Sequence, residues 1–223
     1  MNAVGHSEVS SGEIVRRCWH DLTRRRGCRG PAAAAVLDEL VRAYREPHRH
    51  YHTLDHIAAL LMLLQRHTDA GSDQEALTLA ILFHDVVYDP RRQDNEQASA
   101  SLAAKRLTGL NFPEGLIATA VRFILATQHA REPPPGEDRD LDLLLDLDLS
   151  ILAAPREAYR TYALAVRREY AHVPDALYRP GRRRVLGGFL ARGRIYRTER
   201  LRALWEASAR ANLAAEIAEL SGQ

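Results

Sequence analysis

The stretch 76-ALTLAILFHDVVYDP-90 constrains this chain more than any other. It is apolar from Ala76 to Phe83, broken only by Thr78, and then sets His84 and Asp85 side by side. Apolar residues continue through Val86, Val87 and Tyr88, and Pro90 stops the element. A segment apolar all round is buried. Burying an imidazole and a carboxylate without partners costs several kcal/mol. The pair therefore needs partners, and a bound cation suits both. The plainer reading of the dipeptide alone is a buried helix end with a satisfied histidine and a capping aspartate.

A run such as Leu77 to Phe83 also fits a buried strand. Ser72-x-x-Glu75 reads as a capping box, and with the length of the segment it decides for helix. The rest of the chain carries similar punctuation. Ser10-x-x-Glu13 opens a helix to about Arg26, and Gly30-Pro31 starts a second that ends before Pro47. Thr53 caps a helix whose Ile57, Leu60, Leu61 and Leu64 form one apolar stripe. Asp94, with Gln97 at the box position, opens a helix to about Arg106. Asn111 with Pro113 begins another, to about Gln128. The stretch 131–140, rich in proline and charge, is a loop. The segment 141-LDLLLDLDLSIL-152 alternates like a strand, but its helical surroundings make it a helix. Pro155 to Tyr170 places Tyr159, Tyr162 and Val166 on one face. A basic segment, 179–197, follows, and Thr198 caps a last helix to about Leu220. With no βαβ alternation and no run of strands, the fold class is all-α. A single domain spans 1–223, with its core over about 31–170 and the N-terminal and C-terminal helices packed onto it.

Composition sets the partners. Net charge is +2 and hydrophobic residues are 46%, so neither a nucleic-acid polymer nor a membrane is expected as a partner. No apolar run approaches the ~20 residues that span a bilayer. Cys18 and Cys28 read as free thiols, and with no signal peptide the expected compartment is the cytoplasm. A monomer or a homodimer is expected.

Imidazoles and carboxylates fall at the ends or first turns of three apolar helices: His56, His84 with Asp85, and Asp146 or Asp148. Two nitrogens and two oxygens suit a divalent ion such as Mn, Fe, Zn, Co or Ni without selecting one. Taken in order as His56, His84–Asp85 and Asp148, the set resembles the HD superfamily of metal-dependent phosphohydrolases. Within it, the chain resembles the small bacterial predicted HD phosphohydrolases. The matching text is YHTLDHI at 51–57, AILFHDVVYDP at 80–90, DNEQASA at 94–100 and LDLDLSIL at 145–152. The likeness continues through 159–170 and 178–186, most of the chain. YHTLDH is also similar to the YHNxxH motif of cyclic-nucleotide phosphodiesterases.

The resemblance implies an all-α bundle with a divalent ion (magnesium included) among its central helices. It implies His56, His84, Asp85 and Asp148 as ligands, Asp148 being favoured over Asp146. It implies His52 as proton donor, a role that a histidine of pKa near 6.5 can fill. Asp85 or Glu96 would orient the attacking water, and a first-turn Glu stabilised by the helix dipole is the plainer reading of Glu96. Many two-metal members carry a further histidine where this chain has Asn95. Asn95, His129 and Arg182 are candidates for the pocket wall. Arg182 to Arg184 suit a phosphate, but in a chain so rich in arginine a solvated basic face is the plainer reading of them. The expected activity is hydrolysis of a small phosphorylated substrate, a nucleotide or other phosphorylated metabolite. The alternatives are a di-iron oxygenase of the same fold and a non-catalytic ligand-sensing or interaction module.

Overall fold

The computed structural model describes residues 9–69, 72–128 and 135–222. The described residues form ten α-helices and one short 3-10 helix, with no strand. The all-α expectation therefore holds. In chain order the helices are α1 (Ser11–Arg25), α2 (Pro31–Ala43), α3 (Leu54–His67), α4 (Gln74–Phe83) and α5 (Asn95–Gly109). They continue with α6 (Glu114–Ala126), α7 (Arg139–Asp148), α8 (Arg156–Glu169), α9 (Asp175–Ala191) and α10 (Glu199–Ser221). The 3-10 helix, Leu149–Ala153, follows α7 directly.

Two side-chain caps act as the sequence suggests. The Ser10 hydroxyl accepts from the Glu13 N–H, and the Thr53 hydroxyl accepts from the Asp55 N–H. Three differ. Helix α4 is capped by Asp73, whose carboxylate accepts from the Ala76 N–H, rather than by a Ser72–Glu75 box. A carboxylate one residue on reaches the same orphan donors and adds charge to the positive helix end. Asp94 stands at the N-cap of α5, but its carboxylate pairs with Arg92. Asn111 does not open α6. It sits at φ 56°, in the left-handed conformation that closes α5, with the Phe112 N–H bonded back to the Leu107 carbonyl. Asparagine tolerates that conformation.

The basic segment 179–197 is largely helical: α9 runs from Asp175 to Ala191, with Pro180 inside it. Residues 131–134 of the expected loop lie outside the described residues.

The apolar side chains gather in two cores. The larger joins α1 to α7 around Trp19, Leu61, Leu77, Leu79 and Phe83. The smaller joins the 3-10 helix, α8, α9 and α10 around Leu152, Tyr159, Leu186, Tyr196 and Leu213. Trp205 of α10 packs against both. No described helix is long and apolar enough to cross a membrane.

Candidate metal centre

Helix α4 is buried along almost its whole length, and His84 is its C-cap, with its N–H on the Ala80 carbonyl. The carbonyls just beyond are received by one side chain. The buried guanidinium of Arg49 donates to the carbonyls of Asp85 at 2.7 Å, Val86 at 2.9 Å and His52 at 3.2 Å. It lies between the rings of Tyr44 and Tyr88 and is paired with Glu46. Arg49 thus closes the α4 terminus and ties the His52 loop to the His84–Asp85 pair. Orphan carbonyls at a helix end need such partners.

The ligand candidates converge. The Nε2 atoms of His56 and His84 are 3.3 Å apart. Asp85 Oδ2 is 3.1 Å from His84 Nε2 and 3.9 Å from His56 Nε2. Asp148 Oδ1 is 3.3 Å from His56 Nε2 and 3.6 Å from His84 Nε2. Among the described residues, His56, His84 and Asp85 are the only group of three or more His, Cys, Asp or Glu that meets within 4.8 Å. Asp148 joins that group through the two imidazoles.

The chemistry of this donor set fits a divalent ion. His84 Nδ1 is 2.9 Å from the Ile81 carbonyl, which only accepts, so Nδ1 carries the proton. That turns Nε2 toward its three neighbours, as the nitrogen that an ion would take in place of a proton. Bonds of about 2.0–2.1 Å put neighbouring ligands about 2.9–3.4 Å apart, close to the spacing of this set. Burial disfavours a cation on either imidazole. At His84 the Asp85 and Asp148 carboxylates outweigh burial and hold the pKa well above its ordinary value; at His56 burial wins.

The helix also decides between Asp146 and Asp148. Residues two apart on a helix do not share a face. Fully buried Asp146 accepts from the N–H groups of Arg197 and Thr198 and from the Thr198 hydroxyl, at 2.6–2.8 Å. It clamps the start of α10, and Asp148 at the end of α7 turns to the imidazoles.

His52 stands beside the cluster, with Nε2 4.0 Å from Asp85 Oδ2. Its Nδ1 donates to Glu169 Oε2 at 2.8 Å, and the Tyr88 hydroxyl donates to the same oxygen at 2.8 Å. Glu169 Oε1 accepts the backbone N–H groups of His50, Tyr51 and His52. Burial alone would raise the Glu169 pKa, but His52 and these N–H groups bring it down to about 2. Burial likewise lowers His52, and Asp85 and Glu169 outweigh it, so its pKa is raised. The His52 ring stacks on the Tyr88 ring at 4.2 Å.

The cluster opens on a cavity of about 690 Å³ between the two cores. Glu96, Asn95 and Arg182 all line it. The Asn95 amide is engaged at both ends by the Asp89 backbone, so it serves as a loop clasp. Arg182 is largely buried, paired with Glu216 at 2.8 Å, and lies over the Tyr162 ring. A solvated face describes Arg183 and Arg184, which are exposed, but not Arg182. His129 lies outside the described residues. Glu169 and Arg49 were not singled out from sequence. The Tyr159, Tyr162, Val166 stripe, continued by three, lands on Glu169: a carboxylate on an apolar stripe was the available signal.

Comparison with family models, curated proteins and solved structures finds no match to this chain.

Proposed function

We propose that the protein is a metal-dependent phosphohydrolase of the HD kind, acting on a phosphate ester. The observation that carries this reading is the convergence of His56, His84, Asp85 and Asp148, with His52 held next to them by Glu169. The four side chains would hold one divalent ion. When bound, such an ion lowers the pKa of a coordinated water and draws charge from phosphoryl oxygens.

The remaining steps belong to the chain. Asp85 or Glu96 orients the attacking water. Asp85 and Glu169 raise the His52 pKa, which favours the protonated ring that donates to the leaving oxygen. Glu169 holds that ring in one tautomer and orientation and also fixes the loop carrying it. Asn95, with its amide bound to Asp89, adds no ligand where an imidazole would support a second ion. The reading places the reaction in the cytoplasm, where the free thiols of Cys18 and Cys28 stay reduced.

The test loads metal-free protein separately with Mn, Zn, Mg and Fe(II). Phosphate release from an ester panel and oxygen uptake by the iron form are followed. Phosphate release with a non-oxidising metal, lost in Asp148→Ala, supports the reading. Substrate-dependent oxygen uptake, with no phosphate released under any load, overturns it.

A further inference from the structure

The cavity is far larger than a phosphoryl group needs, and its two ends differ. One end holds the metal ligands with Glu96, Thr127 and Gln128. The other is walled by Ile151, Val166, Leu177, Tyr178, Val185 and Phe189, from the 3-10 helix, α8 and α9. Leu177 and Val185 are 66% and 53% exposed, an unusual placement for large apolar residues that line a cavity. They lie eight residues apart on α9, on one side of the helix, and apolar contact there would cover them.

The charges in the cavity wall give a second, independent observation. Leaving aside the imidazoles of the metal cluster, the described cations lining it are His52, Arg92 and Arg182. Each already faces a carboxylate: Glu169 at 2.8 Å, Asp94 at 2.9 Å and Glu216 at 2.8 Å. Among the described residues, a second phosphate on the substrate would find no cation beyond the metal centre that does not already face a carboxylate. An apolar group would find a wall that rewards it by about 0.8 kcal/mol per methylene buried.

We propose that the substrate is a phosphate monoester whose organic group is large and mainly apolar, seated between α8 and α9. This rests on the phosphohydrolase reading above and narrows it. It excludes nucleoside di- and triphosphates as good substrates.

The experiment compares methyl, butyl and octyl phosphate with adenosine triphosphate on the manganese-loaded full chain. The expected kcat/KM rises about two- to fourfold per methylene until the chamber is full. Leu177→Asp and Val185→Asp, at exposed positions, should each reduce the octyl-to-methyl ratio at least tenfold. Met62→Asp, an exposed α3 position outside the cavity wall, should leave that ratio unchanged. A flat alkyl series, or adenosine triphosphate as the best substrate, overturns the substrate class while leaving phosphohydrolysis standing. Release from no ester with any metal overturns phosphohydrolysis. Calorimetry with octylphosphonate and methylphosphonate separates the two failures. Tighter octyl binding, lost in Val185→Asp, leaves the chamber standing, and equal binding removes it.

Discussion

Asp146 and Asp148 are the same residue type, two positions apart at the end of one helix, and both are largely shielded from water. Asp146 receives two backbone N–H groups and a hydroxyl, so the chain meets its hydrogen-bonding needs. Asp148 faces two imidazole nitrogens, one of which has its proton fixed on the far side of the ring by Ile81. The difference teaches what separates a structural carboxylate from a functional one. The first is surrounded by donors. The second faces two imidazoles that can share a cation with it. The same contrast holds between Glu216, which is satisfied by Arg182 and Tyr159, and Asp85.

The largest expected effect breaks the functional side. Asp85→Ala should abolish both retained metal and phosphate release, read by elemental analysis and a phosphate assay. His52→Ala should sharpen the boundary: metal is retained and the rate falls by ~10²–10⁴, the range for a lost general acid. Equal loss of metal in both variants would make His52 a ligand or a support rather than a proton donor. The structural side should fail differently. Asp146→Ala leaves the half-buried donors of Arg197 and Thr198 without their carboxylate and should lower stability by about 2–4 kcal/mol in urea unfolding. Hydrolysis per folded molecule should stay near wild type.

The smallest effect concerns pH. Glu169 is held at about 2 against an ordinary 4.5, so the folded state favours its ionised form. Its contribution is therefore present above about pH 4.5 and lost as pH falls toward 2. Over that window the metal-free wild type should lose about 3 kcal/mol that Glu169→Gln does not lose. Parallel acid-unfolding curves for the two proteins would contradict this.

The helices and the ligands were legible for different reasons. Caps and apolar stripes are local, so α1, α3 and the buried α4 could be read directly, and the chosen ligands His56, His84, Asp85 and Asp148 do meet. Local signals also misplaced details: Asp73 outcompetes Ser72 as cap, and Asn111 closes one helix rather than opening the next. What was not legible is long-range support. Glu169 reaches His52 across 117 residues and Arg49 reaches Val86 across 37. No periodicity encodes such distances; only packing brings the groups together. Arg182 was misjudged as a solvated cation for the same reason, since its partner Glu216 lies on α10.

The most direct test of the account is the divalent metal content of three proteins purified without chelator: wild type, Asp146→Ala and Asp148→Ala. The account predicts about one ion per chain in wild type and in Asp146→Ala, and essentially none in Asp148→Ala. Equal content in the two variants would contradict it, because the two carboxylates would then not differ in what they hold.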